Sequence, residues 1–550
     1  MTSVHDQMRP ASSSARSVGA ISARFDLVAP DSSAQVSVTG LTSSSGDVVP
    51  GDLFVATQGF TSHGARYAAD AVRRGAVAIL TDAHGRKLVA ESVRSLSATS
   101  ATSATSSASG ATGAVPVLLV PDGADVRALL SGLAAWFYGD PADSLLTFGV
   151  TGTNGKTTTT YLLDQLSRAQ GRTVGLIGTV ETRSGDRVLP SRLTTPDAAT
   201  LQAVLATMRE DGVQTLAMEV SSHALALNRV DGIVFDMVGF TNLSQDHLDF
   251  HETLDEYFAA KVTLFTPERA RRGVVVVDGR WGRRFAEAAR IPVATLSVES
   301  AGATDWWVTD VVPESDGSAF TLRHRDGRSI RTRTALPGAF NVANAALALT
   351  MVVEAGADTE ALSAALDLSG GLDAAVPGRM ELVGASPRVV VDFAHNADAL
   401  ELAISALRPT TRGRLTVVFG ATGDRDKGKR PTMGAVAARA ADVVVITDDD
   451  PHGEPAEGIR ADVLVGAREV AAGAPGETRA HVVEVLEIAP RARAIREVVL
   501  AAQEDDTVLV AGRGHEVWQE IDGVNHPLDD RVEVRAALAA RVNNTKEHDE

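Results

Sequence analysis

Short apolar runs separated by polar turns mark the chain from Val36 onward. Leu53 to Ala56, Ala76 to Thr81 and Val115 to Val120 bracket a stretch of helical spacing near Tyr67 to Arg74, which predicts a small α/β domain. From Leu145 the pattern becomes apolar strand, glycine-rich turn, then helix. It repeats through Val174 to Ile177, Leu216 to Val220, Met237 to Asn242 and Gly273 to Val277. That alternation predicts a mostly parallel, doubly wound sheet. A second such series begins near Val389 and runs through Leu415 to Gly420, Val443 to Thr447 and Thr507 to Ala511, after a break near Ala375 to Arg379. The expected architecture is α/β in three domains: a small N-terminal domain over 25–143, a central doubly wound domain over 144–375, and a Rossmann-like C-terminal domain over 376–550. Residues 1–24, Ser- and Ala-rich without periodicity, are expected to be a disordered tail. The tract 97–113, almost wholly Ser, Thr, Ala and Gly, is expected to be a flexible surface insertion, because it cannot bury enough apolar surface to offset its ordering entropy.

Composition narrows the chemistry. The length of 550 residues suits several cores rather than one. With 52 Lys and Arg against 70 Asp and Glu, the net charge of −18 argues against broad contact with nucleic acid or anionic lipid, so any phosphate must be held by a local device. The absence of cysteine excludes disulfides, thiolate metal sites and a cysteine nucleophile. No stretch reaches transmembrane length and no signal-type apolar segment opens the chain, so a cytoplasmic location is expected.

The strongest local signal is Phe148 to Thr158, which reads Phe-Gly-Val-Thr-Gly-Thr-Asn-Gly-Lys-Thr-Thr at a strand-to-helix junction. Here Gly152 and Gly155 would let backbone N–H groups close around phosphate oxygens, with Thr151, Thr153 and Asn154 completing the loop. Lys156 would neutralise β- and γ-phosphate charge, and Thr157 would ligate Mg²⁺. Val150 stands where the general nucleotide-binding motif has glycine, so the loop is a variant, Gly-Thr-Asn-Gly-Lys-Thr. A kinase, a switch or a ligase would each satisfy it. Two later strand ends carry polar clusters: Met218 to His223, with Glu219 placed to hold a nucleotide's metal, and Thr241 to His247, with Asp246 and His247 as further ligands.

These segments resemble the Mur ligase family. Its tripeptide-synthetase branch is matched by Leu193 to Pro196, Asn341 to Ala346, Pro377 to Glu381, Val391 to His395, Gly423 to Arg430 and Ala511 to Glu516. The resemblance runs from about Val36 to Leu538. It implies an ATP-dependent ligase that phosphorylates the terminal carboxylate of UDP-MurNAc-L-alanyl-D-glutamate and lets an incoming amine attack the acyl phosphate. Catalysis would then be chiefly positioning and charge neutralisation. It further implies that Asn341, Asn344, Arg379, Asp392 and His395 contribute to the ATP site. Lys261 matches the family lysine carbamylated by carbon dioxide, which would join Thr157, Glu219 and His247 as a Mg²⁺ ligand. Ser45, Thr194, Thr195, Ser221 and Arg229 match precursor-contacting positions, although the family's usual Asp-Ser-Arg is Ser44-Ser45-Gly46 here. The expected partners are the UDP precursor and one small amino acid, with the chain a monomer. Folate polyglutamylation and D-alanyl-D-alanine addition are neighbouring activities, and a precursor sensor without ligase activity is the alternative from another class.

The family's substrate-selecting loop reads Asp448 to Glu454 here. Members that add meso-diaminopimelate typically carry Asp-Asn-Pro-Arg, and His452 replaces that arginine while Asp450 replaces the asparagine. Burying a carboxylate without its cation costs on the order of 3–5 kcal/mol, a hundredfold discrimination or more. The expectation is therefore L-lysine, with L-ornithine next because one methylene is worth only about 1–3 kcal/mol. Arg425 would hold the α-carboxylate. Asp449 and Glu516 would face the amines, with Asp450, His452 and Gly512 lining the same pocket.

Overall fold

The computed structural model describes residues 8–548 apart from 13–14, 60, 101–114, 192, 249, 315 and 474–482. Among the described residues three α/β layers follow one another along the chain. The first holds a four-stranded parallel sheet in the order Gly40–Thr42, Asp52–Val55, Ala78–Thr81, Val117–Leu119. Every residue of Asp52–Val55 and Ala78–Thr81 is buried, as expected for a parallel sheet covered on both faces.

The central sheet has eleven strands. Its parallel part runs in the order Val174–Ile177, Thr215–Glu219, Leu146–Thr151, Phe235–Phe240, Ala270–Val276, Val293–Ser297. The strand that feeds the phosphate loop therefore lies between those ending at Glu219 and Phe240. Register pairs Val150 with Glu219 and Thr151 with Phe240, so three strand ends reach one edge together. Trp306–Glu314 continues this sheet parallel to Val293–Ser297, and Gly317–His324 and Ser329–Thr334 then extend it antiparallel, a feature the strand–turn–helix pattern did not announce. The third sheet orders Glu381–Ala385, Arg388–Asp392, Thr507–Ala511, Leu415–Phe419, Val443–Ile446, Glu484–Glu487, and a hairpin of Trp518–Ile521 with Val524–Pro527 stands beside it.

The expected tail over 1–24 is corrected in its second half. Arg16–Ser17 pairs antiparallel with Ser37–Val38, and Val18–Phe25 is a helix whose N-cap Ser17 accepts the Ala20 N–H at 3.1 Å. Val18 and Ile21, three apart, fall on one helical face and are fully buried, worth about 1.5–3 kcal/mol each. Averaged composition hides two such residues among serines and alanines. The helix Ala83–Ser100 carries regular structure into the start of the expected insertion 97–113, whose remainder lies outside the described residues.

Candidate active site

The helix Lys156–Ala169 begins directly after the phosphate loop. Its N-cap Gly155 has φ +88° and supplies no side chain to the first-turn N–H groups, leaving them for an anion. Both loop glycines are needed in place: a Cβ on Gly152, at φ +147°, would collide with the Thr241 hydroxyl, and one on Gly155 with the Asn344 amide. The neighbouring strand end fixes the loop. Thr153 N donates to the Asn242 carbonyl at 2.9 Å, Asn154 N to Asn242 Oδ1 at 3.0 Å, and Thr241 Oγ1 to the Asn154 carbonyl at 2.6 Å.

Two lysines converge there. Lys156 Nζ donates to the carbonyls of Gly152 (3.0 Å) and Thr153 (2.8 Å), and Lys261 Nζ donates to the same Gly152 carbonyl at 2.8 Å. Lys261 comes from the helix Leu254–Val262, is buried, and lies 4.2 Å from the Tyr257 ring centroid. Burial drives the Lys261 amine well below its usual pKa, the charge of Lys156 pushes it further, and Asp246 opposes only in part. Glu219 is buried at its strand end, with Oε1 accepting the Thr179 N–H at 2.8 Å and Oε2 the Thr179 hydroxyl at 3.0 Å.

At the next strand end burial would raise the Asp246 carboxyl. The hydrogen bond and charge of His395, with His247 and Lys429, outweigh this and hold it far below the usual range. His247, at φ +53°, lies 3.8 Å from Asp246, and burial lowers its pKa to about 3 with Asp246 opposing and His223 assisting. Among the described residues no three His, Asp or Glu side chains form a ready metal cage. Magnesium, which keeps several waters and is completed by substrate phosphates, does not need one, and Thr157, Glu219 and His247 offer ligands on this edge.

The third domain closes over this edge. Arg379 Nη2 donates to Thr157 Oγ1 at 3.3 Å, Asn396 Nδ2 to Asn154 Oδ1 at 3.5 Å, and Gln245 Nε2 to Asp426 Oδ2 at 3.4 Å, while His395 Nε2 lies 3.6 Å from Asp246. A narrow cleft opens between the lobes, walled by Gly155, Asn341, Asn344, Arg379, Asp392 and His395. The positions expected around the nucleotide are thus brought together. Asn341 and Asn344 sit in the first turns of Ala339–Glu354, joined at 3.2 Å. Asp392 accepts the Met380 and Ala394 N–H groups at 2.7 and 2.9 Å.

The expected precursor residues form a chain behind Glu219. The Thr194 and Thr179 hydroxyls are hydrogen-bonded at 3.0 Å, Thr195 Oγ1 donates to the Glu219 carbonyl at 2.8 Å, and Arg229 Nη1 donates to the Thr195 carbonyl at 3.0 Å. Ser221 caps the helix Ser222–Ala226. Ser45 stands apart, on a one-turn helix Ser45–Asp47 at the mouth of a cleft lined by Ser44, Leu193, Pro196 and Asp197.

In the third domain Asp449, Gly512 and Glu516 adjoin. A Cβ on Gly512, at φ +112°, would come within 2.6 Å of Asp449 Oδ2. Burial pushes Glu516 up to about 8, with Asp449 adding to the shift and Arg513 opposing it. The Asp450 carboxylate pairs with Arg513, which is fully buried and also donates to the Trp518 carbonyl. His452 Nδ1 lies 3.2 Å from Glu520 of the hairpin. Arg425 is exposed on the loop after Leu415–Phe419. Sequence reasoning assigned no role to Thr179, Arg513 or Glu520. Thr179, just past the strand Val174–Ile177 on the Glu219 edge, was the one position alone could have flagged.

A phosphate loop, a buried carboxylate and two converging lysines, facing a second α/β lobe with its own acidic pocket, define a nucleotide-driven enzyme that joins two substrates. Family comparisons agree along the chain: residues 37–138 match the Mur ligase family catalytic domain, 150–352 the Mur ligase middle domain, and 378–514 the Mur ligase glutamate ligase domain. A UDP-N-acetylmuramyl-tripeptide synthetase of Leifsonia xyli subsp. xyli is 44% identical over 533 residues, covering 96% of this chain and 97% of the relative. A UDP-N-acetylmuramoyl-L-alanyl-D-glutamate–2,6-diaminopimelate ligase of Streptomyces avermitilis is 44% identical over 532 residues, covering 96% and 98%. A solved structure of a ligase with that last name superposes with TM-score 0.61 at 30% identity, covering 96% of this chain and 99% of the other. The chain belongs to the Mur ligase family, ATP-dependent peptide-bond-forming enzymes of peptidoglycan precursor synthesis.

Proposed function

We propose that the protein adds L-lysine to the D-glutamate carboxylate of UDP-MurNAc-L-Ala-D-Glu, acting as a monomer in the cytoplasm. The observation that carries the choice of amino acid is the charge balance around the loop Asp448 to Glu454. Arg460 is paired with Asp448, Arg513 with Asp450, Arg430 with Glu454, and Arg491 with Asp530. Glu516 lies 3.6 Å from the same Arg513, which leaves Asp449 outside these pairs, and a pocket with that surplus carboxylate suits an ammonium better than a second substrate carboxylate. L-Ornithine, one methylene shorter, is the near competitor. The likeness to Streptomyces 2,6-diaminopimelate ligases favours diaminopimelate as the second reading.

In this reading the first-turn N–H groups and Lys156 hold the β- and γ-phosphates of ATP, while Asn341, Asn344, Arg379, Asp392 and His395 wall the nucleotide cleft. Thr157, Glu219, His247 and a carbamate on Lys261 would hold Mg²⁺, which would supply charge neutralisation for phosphoryl transfer. The low pKa of the Lys261 amine supports carbamylation, since only the neutral amine attacks carbon dioxide. Thr194, Thr195, Ser221 and Arg229 orient the precursor so that its carboxylate attacks the γ-phosphorus, giving ADP and an acyl phosphate. Arg425 holds the α-carboxylate of the incoming amino acid, whose amine then displaces phosphate. The test is phosphate release with ATP, Mg²⁺ and UDP-MurNAc-L-Ala-D-Glu across lysine, ornithine and meso-diaminopimelate. Lysine is expected to lead, and a preference for diaminopimelate overturns the specificity while leaving the ligase in place.

A further inference from the structure

Residues 8–12 cross from the first domain to the second beside the cleft of Ser44, Leu193, Pro196 and Asp197. At one end Arg9 Nη1 and Nη2 grip Asp52 Oδ1 and Oδ2 at 2.5 and 2.8 Å. Asp52 is fully buried at the start of its strand and also accepts the Val49 N–H at 2.9 Å, so this pair is anchored in the sheet of the first domain. Gly40 leaves room for it, because a Cβ there would collide with the guanidinium. At the other end the N–H groups of Ala11 and Ser12 donate to the Glu210 carboxylate at 2.7 and 2.9 Å, joined by the Ser12 hydroxyl. Glu210 is the last residue of the helix Ala198–Glu210 in the second domain, where the helix dipole disfavours a negative charge. Those donors offset that cost. Between the two anchors the Met8 carbonyl accepts from Thr207 Oγ1 at 3.3 Å, and the Met8 side chain packs on the core of the second domain while lining the cleft. The cleft is open to solvent and holds about 320 Å³, at the lower end of the range of small-molecule sites.

We infer that residues 8–12 are a staple that sets the first domain against the second, with Arg9 and Met8 acting as positioning residues for the UDP-linked substrate. The inference rests on the proposed precursor site and extends it into this cleft, whose Leu193 and Pro196 flank Thr194 and Thr195. The first-domain wall carries Ser44 and Asp47, the second-domain wall Leu193, Pro196 and Asp197, and the staple holds the spacing between them. A bidentate arginine–carboxylate pair fixes direction as well as distance, which a single apolar contact would not.

The test uses the full chain with Met8→Ala, Arg9→Met, and Arg9→Met combined with Asp52→Asn, which removes the carboxylate that the single substitution strands. KM is measured for UDP-MurNAc-L-Ala-D-Glu and for ATP, and calorimetry gives the affinity for the UDP-dipeptide. The expected result is a roughly tenfold rise in precursor KM and Kd, equal to about 1.4 kcal/mol, with ATP KM and kcat within about twofold of the parent. Arg9→Lys should recover part of the loss. An unchanged precursor KM in the Arg9 variants, or an ATP KM that rises in parallel, overturns the staple. A parent enzyme that neither binds nor turns over the UDP-dipeptide overturns the reading of the cleft instead.

Discussion

Arg491 and Asp530 form an ion pair with both side chains at 0% exposure. Nε and Nη2 of Arg491 meet the two Asp530 oxygens at 2.8 and 2.7 Å, Nη2 also donates to the Ala511 carbonyl at 2.8 Å, and Nη1 to the Asp448 carbonyl at 3.1 Å. Those carbonyls lie immediately before Gly512 and Asp449, so the pair braces both sides of the acidic pocket. Arg491→Met would leave a carboxylate buried without its cation, at about 3–5 kcal/mol. Adding Asp530→Leu removes the stranded charge and leaves only two carbonyls short of a donor, for which about 1–3 kcal/mol is expected. The double variant should therefore be more stable than the single one. Urea unfolding followed by tryptophan fluorescence and far-UV circular dichroism measures this, read as the transition of the C-terminal domain because a three-domain chain is not two-state. The amino-acid KM should rise in the single variant more than the ATP KM does. A single variant within about 1 kcal/mol of the parent, or a double variant less stable than the single, refutes the reasoning.

Further outcomes follow from the same geometry. Lys261→Arg should be inactive, and stripping carbon dioxide should slow the parent enzyme reversibly upon return of bicarbonate; a rate indifferent to both removes the carbamate. Thr179→Val deletes a hydrogen bond to the Glu219 carboxylate, worth about 1.5–3 kcal/mol, so the Mg²⁺ needed for half-maximal phosphate release should rise about tenfold or more, while Thr179→Ser keeps the parent value. Glu516, held up to about 8, resists ionising in the folded state, so its penalty is absent below its ordinary 4.5, grows as pH rises toward 8 and is constant above. Glu516→Gln should accordingly flatten the loss of stability across that window, as seen in melting temperature against pH. In the parent at pH 7, lysine binding should release a proton, detected by calorimetry in buffers of different ionisation enthalpy.

What the sequence disclosed follows the distance over which each feature is encoded. The phosphate loop was legible because its glycines, lysine and threonine are consecutive, and the strand ends at Glu219 and Thr241 were legible because apolar runs announce where a strand stops. The meeting of Lys261 with Gly152, 109 residues apart, carries no local mark and was suggested only by family likeness. The pairing of Asp450 with Arg513, 63 residues on, is likewise set by a sheet order that no window can see. The N-terminal helix was missed for the opposite reason: Val18 and Ile21 are too few to lift the composition around them, yet suffice once a core is present to receive them.

Four polar contacts that join the third domain to the phosphate-loop edge are long, at 3.3 to 3.6 Å, and involve Arg379, Asn396, Gln245 and His395. Hydrogen bonds of this kind contribute at most about 1 kcal/mol each, and water replaces them readily. Such a seam behaves as a reversible catch: thermal motion can part the lobes to admit nucleotide and release product, and the cations that a bound triphosphate recruits from both sides would draw them together again.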